Sequence, residues 1–277
     1  MFDFTEPPRP DQRLLDVGCA SGNFQSGSID CQIVGLDEDP GVFGSALPAA
    51  VAERYHRVIG TAEEMPLAAG SFDYVLCHHI LEHVAAPDRM LREIARVLKP
   101  GGGLSIAVPD GQGVCDGIYR YLFEGGGHVN RFRKDDVIQL VRATSGLHLR
   151  RWRRLYSSFA YISAALRLLD DPPHDLQRRL KRIGSVPPGL IHLAHTALYR
   201  GTRFLDRAFH SESALYGWAF YFDRTEAAPL ELPALVNVCI HCGAGHPARK
   251  LRPGLFTYRC PLCGTRTPFH RPFGNAQ

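Results

Sequence analysis

Short apolar runs separated by polar turns follow one another through the first half of this 277-residue chain. Five runs have the length of a buried strand and lie near residues 13–18, 32–37, 56–60, 72–77 and 103–108. Between the last two runs, apolar side chains recur at helical spacing, at Met90, Leu91, Ile94, Val97 and Leu98. Strands that alternate with helices predict an α/β fold with a doubly wound, mostly parallel sheet.

Proline and glycine mark the ends of the predicted helices. Pro87 lies in the first turn of a helix near 86–98, and Pro100-Gly101 is a stop signal after it. Two further helices are predicted near 42–53 and 130–147. The predicted core of the fold therefore ends close to residue 150.

The turn after the first strand carries the strongest functional signal. Residues 14–24 read Leu-Leu-Asp-Val-Gly-Cys-Ala-Ser-Gly-Asn-Phe, with small residues at Gly18, Ala20 and Gly22. Asp16 precedes the turn, and Asp37 closes the second strand. Small residues let the backbone approach a ligand closely, and an acid at the end of the second strand can accept both ribose hydroxyls. This layout predicts a nucleoside pocket at the carboxyl edge of the sheet.

The charge of the turn indicates which nucleoside it binds. No basic residue lies between Leu14 and Gln32. A carboxylate without a nearby positive charge suits a cationic, phosphate-free ligand better than a pyrophosphate. S-adenosylmethionine fits that description.

The turn resembles motif I of class I methyltransferases, where D-x-G-x-G-x-G is usual and Ala20 replaces the middle glycine. Four later segments are similar to further motifs of the same family, at residues 60–67, 71–76, 81–84 and 91–102. The resemblance covers roughly residues 12–150. It implies a Rossmann-like methyltransferase fold that uses S-adenosylmethionine as its cofactor.

The resemblance also implies a set of cofactor-binding residues. These are Asp16, Gly18, Cys19, Gly22, Asp37, Glu38, Thr61, Ala62, Glu63 and His78. Cys19 and His78 are expected to contribute their backbone. Thr61 stands where many relatives carry an acid, so a backbone group or Glu63 is expected to contact the adenine amino group.

Methyl transfer needs donor and acceptor in line, and a base when the acceptor is a hydroxyl. Two histidines are the catalytic candidates: His79 directly after the fourth strand, and His128 after the flexible run 125–127. Packing in the following turn is the alternative role for His79. His83, within Leu-Glu-His-Val, is expected to be a structural feature of its turn.

Four of the eight cysteines form two C-x2-C knuckles, Cys239/Cys242 and Cys260/Cys263, separated by seventeen residues. This spacing predicts a structural, tetrathiolate zinc ribbon without an open coordination position. Two disulfides in a secreted protein are the alternative, but no secretory signal is readable. The other cysteines show no ligand spacing.

Positive charge is concentrated outside the predicted catalytic core. Residues 150–207 contain twelve Arg or Lys and four acids, a net +8, whereas the whole chain carries +4. We therefore expect three domains: a methyltransferase domain at 1–157, a basic helical appendage at 158–235 and the zinc ribbon at 236–277. Within the appendage, the aromatic run 216–222 is a strand candidate.

Three functions are compatible with these features. The first is methyl transfer to a hydroxyl or similar nucleophile of a small-molecule, glycan or lipid-linked substrate. The second is RNA methylation, in which the zinc ribbon and the basic segment bind nucleic acid. Against it, the fourth strand is followed by Cys77-His78-His79-Ile80 and not by the Asn-Pro-Pro-Tyr-like motif usual in methylases of base amino groups. The third is a non-catalytic scaffold that binds adenosylmethionine.

The chain is expected to be cytoplasmic, with peripheral contact to an anionic membrane through its basic segment as a further expectation. No run of about 18 apolar residues is present. The sequence does not indicate a protein partner for the ribbon.

Overall fold

The computed structural model describes residues 8–20, 29–41, 52–114, 116–117, 120, 127–156, 197, 200–202, 204–213, 215–234, 237, 245–246, 250–254, 257–261, 264 and 266–269. Two compact units are present. One comprises Met1–Pro109, Val129–Arg153 and Trp218–Leu232, and the other comprises Asp110–His128, Arg154–Gly217 and Pro233–Gln277.

An eight-stranded sheet is the main element of the fold. Its strands are β1 (Arg13–Val17), β2 (Gln32–Asp37), β3 (Tyr55–Ile59), β4 (Phe72–His78), β5 (Leu98–Pro109), β6 (His148–Leu155), β7 (Gly217–Asp223) and β8 (Leu230–Glu231). The strand order is β3-β2-β1-β4-β5-β7-β6-β8, and every neighbouring pair from β3 to β5 is parallel. The predicted doubly wound, mostly parallel sheet is confirmed.

Continuous apolar runs place these strands in the interior. Leu14, Leu15 and Val17 of β1 are all buried, as is β5 from Gly102 to Pro109. Strands buried on both faces have such runs rather than alternating patterns, because layers cover both sides of the sheet. The strand order reverses between β1 and β4, and this topological switch point opens a crevice at the carboxyl ends of the two strands.

Two helices are fully described. Helix α1 (Pro87–Val97) has proline in its first turn and buries Met90, Leu91, Ile94 and Val97. Helix α2 (Lys134–Ser145) ends at Gly146, which adopts the left-handed conformation with φ 67°. The helices predicted near 86–98 and 130–147 are therefore confirmed.

The start of β5 differs from the prediction. Strand β5 begins at Leu98, five residues before the expected 103, and includes Pro100. Leu98 pairs with Phe72, and the register then shifts so that Gly103 pairs with Tyr74. The proline fits because this exposed bulge does not need its missing N–H for a ladder hydrogen bond.

Strand β7 contains most of the aromatic run predicted as a strand, and it lies between β5 and β6 in the sheet. The range 158–235, predicted as an appendage, therefore contributes two strands to the sheet. The three predicted domain boundaries themselves stay predictions. Nearly all of the predicted helix near 42–53 lies outside the described residues.

Near the end of the chain, β9 (Thr257–Arg259) pairs antiparallel with β10 (Arg266–Pro268). Within the described residues, no helix is long and apolar enough to cross a membrane.

Candidate active site

The turn after β1 has a backbone that only small residues tolerate. Gly18 adopts φ 67°, and a Cβ there would lie 2.8 Å from the Ile80 side chain. The amides of Gly18 and Cys19 both donate to the Leu36 carbonyl, at 2.8 and 3.2 Å. These contacts fix the turn against the end of β2.

Ala20 also lies in the left-handed region, with φ 45°. This is the position at which the motif usually has glycine. A left-handed conformation costs an L-residue about 1–2 kcal/mol. Alanine at this position therefore introduces backbone strain at the site.

Asp37 connects β2 with this turn. Its Oδ2 accepts a hydrogen bond from the Ala20 amide at 2.9 Å, and its Oδ1 accepts one from the Asp39 amide at 3.1 Å. A carboxylate oxygen accepts more than one hydrogen bond, so both atoms keep capacity for a ligand. The same carboxylate thus shapes the turn and lines the adjoining cavity.

A cavity of about 370 Å³ opens beside the turn. This size lies within the usual range for small-molecule and cofactor sites. Six of the predicted cofactor-binding residues line it: Gly18, Asp37, Glu38, Thr61, Ala62 and Glu63. Among the described residues, the lining contains three carboxylates and no Lys or Arg, which fits a cationic ligand without phosphate groups.

Glu63 has a second role besides lining the cavity. Its Oε1 accepts a hydrogen bond from the Ala86 amide at 2.8 Å, directly before α1. The Glu63 amide in turn donates to the Thr61 hydroxyl at 3.2 Å. Glu63 therefore ties the wall after β3 to the start of α1, and its remaining oxygen is oriented by that bond.

Asp16 and Cys19 do not line the cavity. The Tyr55 hydroxyl donates to Asp16 Oδ2 at 3.2 Å. Burial raises the pKa of Asp16 to about 7, with a further contribution from the charge of Asp37 and against the hydrogen bond from Tyr55. Burial likewise raises the pKa of the Cys19 thiol to about 12, so this thiol is not nucleophilic at neutral pH.

His78 also lies off the cavity lining. Its Nε2 is 2.9 Å from the Ser105 hydroxyl, and burial keeps its pKa well below the ordinary histidine range. The ring is therefore neutral and packed within the sheet. A backbone contact to the cofactor stays a prediction for this residue, and Gly22 lies outside the described residues.

His79 adopts a left-handed backbone, with φ 57°, at the carboxyl end of β4. Its amide donates to the Ala107 carbonyl at 2.8 Å, and its Nδ1 lies 3.5 Å from Oε1 of the buried Glu82. Strained backbone of this kind is concentrated at functional sites. Its catalytic role stays a prediction.

The segment after β4 also lines the cavity, at Ile80, His83, Val84 and Ala85. The His83 amide donates to the Ile80 carbonyl at 2.9 Å, which agrees with the predicted turn. Its presence on the cavity wall is not predicted from the sequence. The Leu-Glu-His-Val motif carries a signal for a turn but none for the direction of its side chains.

The second unit contains a buried cluster around Asp116. His128 Nδ1 lies 2.7 Å from Asp116 Oδ1, and Arg120 Nε lies 2.7 Å from Asp116 Oδ2. Burial opposes ionisation of Asp116, but hydrogen bonds from His128 and Arg120 prevail and lower its pKa. A carboxylate at Nδ1 fixes the imidazole orientation, as the orienting acid does in hydrolytic triads.

Of the four predicted zinc ligands, only Cys260 is among the described residues. Its side chain is buried, and the Gly264 amide donates to its carbonyl at 2.9 Å. Gly264 has φ 73°, a conformation that favours glycine. His246 Nε2 lies 3.2 Å from Cys260 Sγ. Cys239, Cys242 and Cys263 lie outside the described residues, and the zinc site stays a prediction.

A family model described as a methyltransferase domain matches residues 15–106. Human thiol S-methyltransferase TMT1B is 40% identical over 98 residues, which cover 33% of this chain and 40% of that protein. The chain thus spans about two fifths of the length of this curated relative.

Solved structures with the same fold have diverse activities. Phosphoethanolamine N-methyltransferase 2 from Haemonchus contortus, solved with S-adenosylhomocysteine, has a TM-score of 0.50 at 18% identity, over 78% of this chain and 49% of that chain. The [4+2]-cyclase SpnF has a TM-score of 0.51 at 20% identity, over 79% and 76% of the two chains. At these identities the likeness shows the fold alone. The family match thus identifies residues 15–106 as a methyltransferase domain.

Proposed function

We propose that this protein transfers a methyl group from S-adenosylmethionine to a hydroxyl, thiol or similar nucleophile of a small-molecule, glycan or lipid-linked substrate. The observation that carries the proposal is the cavity beside the glycine turn. Its lining, as far as the structure describes it, contains three carboxylates and no Lys or Arg. This charge suits a sulfonium nucleoside and disfavours a dinucleotide, whose pyrophosphate needs positive partners.

The residues of the cavity have separate roles in binding. S-adenosylmethionine supplies an activated methyl group on a positively charged sulfur. Gly18 keeps the turn free of a side chain, and Asp37 offers carboxylate oxygens for the ribose hydroxyls. Thr61 and Ala62 form the wall proposed for the adenine.

The thiol acceptor is suggested by the human relative, a thiol S-methyltransferase. Its match covers 33% of this chain, and the family model covers residues 15–106. In most enzymes, variable loops on a common scaffold select the substrate. We therefore expect segments outside the matched region to select the acceptor. We therefore keep the hydroxyl and the thiol within one proposal.

Removal of a proton from the acceptor is assigned to His128, with His79 as the second candidate. Asp116 holds His128 at Nδ1, which leaves Nε2 as the basic atom of the neutral ring. Arg120 neutralises the other oxygen of Asp116 and keeps the carboxylate ionised. This arrangement is suited to accept one proton and to stabilise the imidazolium that results.

The C-terminal cysteines are proposed to bind a structural zinc ion. The hairpin of β9 and β10, the buried Cys260 and the glycine turn at Gly264 fit a zinc knuckle. A site with four thiolates has no open position for substrate or water, so its contribution is to folding.

Contact with an anionic membrane is proposed for the helical residues 204–209. Phe204, Leu205 and Phe209 are 71%, 45% and 75% exposed, and Arg200 and Arg207 are exposed near them. Apolar side chains flanked by arginines are typical of helices that lie in the membrane interface. Co-sedimentation with anionic and neutral vesicles tests this contact. Binding that is equal for both vesicles, or unchanged in a Phe204→Ser/Phe209→Ser variant, contradicts it.

Cofactor binding is tested by titration calorimetry with S-adenosylmethionine on the parent chain and on Asp37→Ala. We expect affinity to fall at least 10-fold in Asp37→Ala, since both ribose contacts and the brace on Ala20 are removed. Asp11→Ala, which changes an exposed carboxylate in the same unit, is the matched control. Absence of binding by the parent chain would overturn the proposal.

The acceptor is tested with methyl-labelled cofactor and separate pools of thiols, lipids, glycans and RNA. Label in a thiol or hydroxyl fraction supports the proposal. Label in RNA supports the alternative of an RNA methyltransferase instead. Cofactor binding without transfer to any pool favours a non-catalytic scaffold.

A further inference from the structure

A half-buried imidazole, that of His246, contacts the sulfur of Cys260 in the C-terminal hairpin. His246 Nε2 lies 3.2 Å from Cys260 Sγ, and Cys260 is 2% exposed. The proposed zinc ribbon accounts for its four cysteines by their spacing, but it assigns no role to this histidine. The contact therefore calls for a chemical explanation of its own.

Two further contacts fix the position of His246. Its ring packs edge-on against the buried Tyr258, with the ring centroids 5.8 Å apart and an interplanar angle of 77°. Its amide donates to the Asn237 carbonyl at 2.9 Å. An imidazole held through both its ring and its backbone can keep one orientation towards the sulfur.

The separation of 3.2 Å is within the range of an N–H···S hydrogen bond. Four cysteines also suffice to fill a tetrahedral site.

We propose that His246 is a positioning residue of the zinc centre, whose Nε2–H donates to the Cys260 thiolate. This inference rests on the proposed zinc site. A donor to a coordinated thiolate disperses its negative charge and disfavours its protonation, which would release the metal. The bond also holds the sulfur in the direction that the hairpin gives it.

The test is a chelator competition on the full chain loaded with zinc. We compare the parent chain with His246→Ala and His246→Gln, because the glutamine amide can replace the lost N–H donor. His56→Ala, which changes an exposed histidine of β3, is the control. We expect His246→Ala to keep the parent metal-to-chain ratio but to bind zinc about 10–100-fold more weakly, which is the usual effect of losing an outer hydrogen bond. His246→Gln should recover part of the affinity.

Cobalt substitution supplies a second readout. If His246 is a hydrogen-bond donor, the parent chain and His246→Gln have the same all-sulfur absorption spectrum. A spectrum in the parent that indicates a nitrogen ligand, and that this variant loses, overturns the assignment. So does an unchanged zinc affinity in His246→Ala. If His246→Ala does not fold, the affinity and spectrum of His246→Gln decide alone. Failure of the parent chain to bind zinc overturns the zinc site itself, which separates the two proposals.

Discussion

The Asp37 carboxylate accepts a hydrogen bond from the Ala20 amide at 2.9 Å, and this bond joins the end of β2 to the left-handed residue after β1. The acid expected to bind the ribose therefore also stabilises the turn beneath it. This relationship explains how alanine is accommodated at a position that favours glycine. The bond helps to offset a strain of about 1–2 kcal/mol at Ala20.

Replacement of Ala20 by glycine should stabilise the domain. Glycine removes the left-handed strain, but it also increases the entropy of the unfolded chain by about 0.4–1 kcal/mol. The net gain is expected to be about 0.5–1 kcal/mol in the free energy of unfolding, measured by urea titration. Ala20→Val should destabilise by more than this gain, because a β-branched residue disfavours positive φ. An Ala20→Gly variant less stable than the parent contradicts this account.

Replacement of Gly35 by alanine should disturb the packing of Tyr55 and Cys19 around it. A Cβ at Gly35 would lie 2.5 Å from the Tyr55 hydroxyl and 2.7 Å from Cys19 Sγ. We expect a loss of about 1–3 kcal/mol in stability, the usual effect of overpacking, together with weaker cofactor binding. Thermal unfolding and calorimetry measure the two effects.

Removal of the Tyr55 hydroxyl, the atom nearest to the added Cβ, provides the control. Tyr55→Phe deletes the hydroxyl and should restore part of the stability of Gly35→Ala. A double-mutant cycle measures this coupling. Strictly additive effects of the two substitutions would show that the predicted steric contact is not the cause.

Asp16→Asn should alter how stability depends on pH. The pKa of Asp16 is raised from 3.8 to about 7 in the folded protein. The proton is therefore bound more tightly by the folded chain, so its stabilising contribution is present below about pH 4 and is lost as pH rises through about 7. Asparagine resembles the neutral carboxyl at every pH.

The stability of Asp16→Asn relative to the parent should therefore increase between pH 5 and pH 8, by about 2 kcal/mol. Thermal unfolding of both chains across this range provides the measurement. Asp11→Asn changes an exposed carboxylate and serves as control. A stability difference between the parent and Asp16→Asn that stays constant across this pH range refutes the raised pKa of Asp16.

Asp116→Asn should impair methyl transfer if His128 is the base. The substitution removes the carboxylate that contacts Nδ1 and orients the imidazole. We expect kcat to fall about 10²–10⁴-fold, because the base is no longer held in one orientation. Asp88→Asn, which breaks an exposed ion pair with Arg92, is the matched control. An unchanged kcat in a folded Asp116→Asn variant would contradict the role of Asp116 in orienting His128.

Much of the parallel sheet could be predicted because its signals are local. Continuous apolar runs specify strands buried on both faces, and proline and glycine specify where the adjoining helices begin and end. The start of β5 is the exception, since the pairing of Leu98 with Phe72 is a contact between distant residues. The insertion of β7 between β5 and β6 likewise depends on a distant segment of the chain.

The candidate site also combines features that the sequence predicts with features that depend on tertiary contacts. By itself, the sequence determined the chemistry of the glycine turn: small residues, two acids and no positive charge, which together indicate a sulfonium nucleoside. Only the tertiary structure decided which acid reaches the cavity. Asp37 lines it, whereas Asp16 is held by Tyr55 from β3, two strands away. The physical reason is that spacing along the chain fixes backbone conformation, while the burial and ionisation of a side chain depend on neighbours that folding brings together.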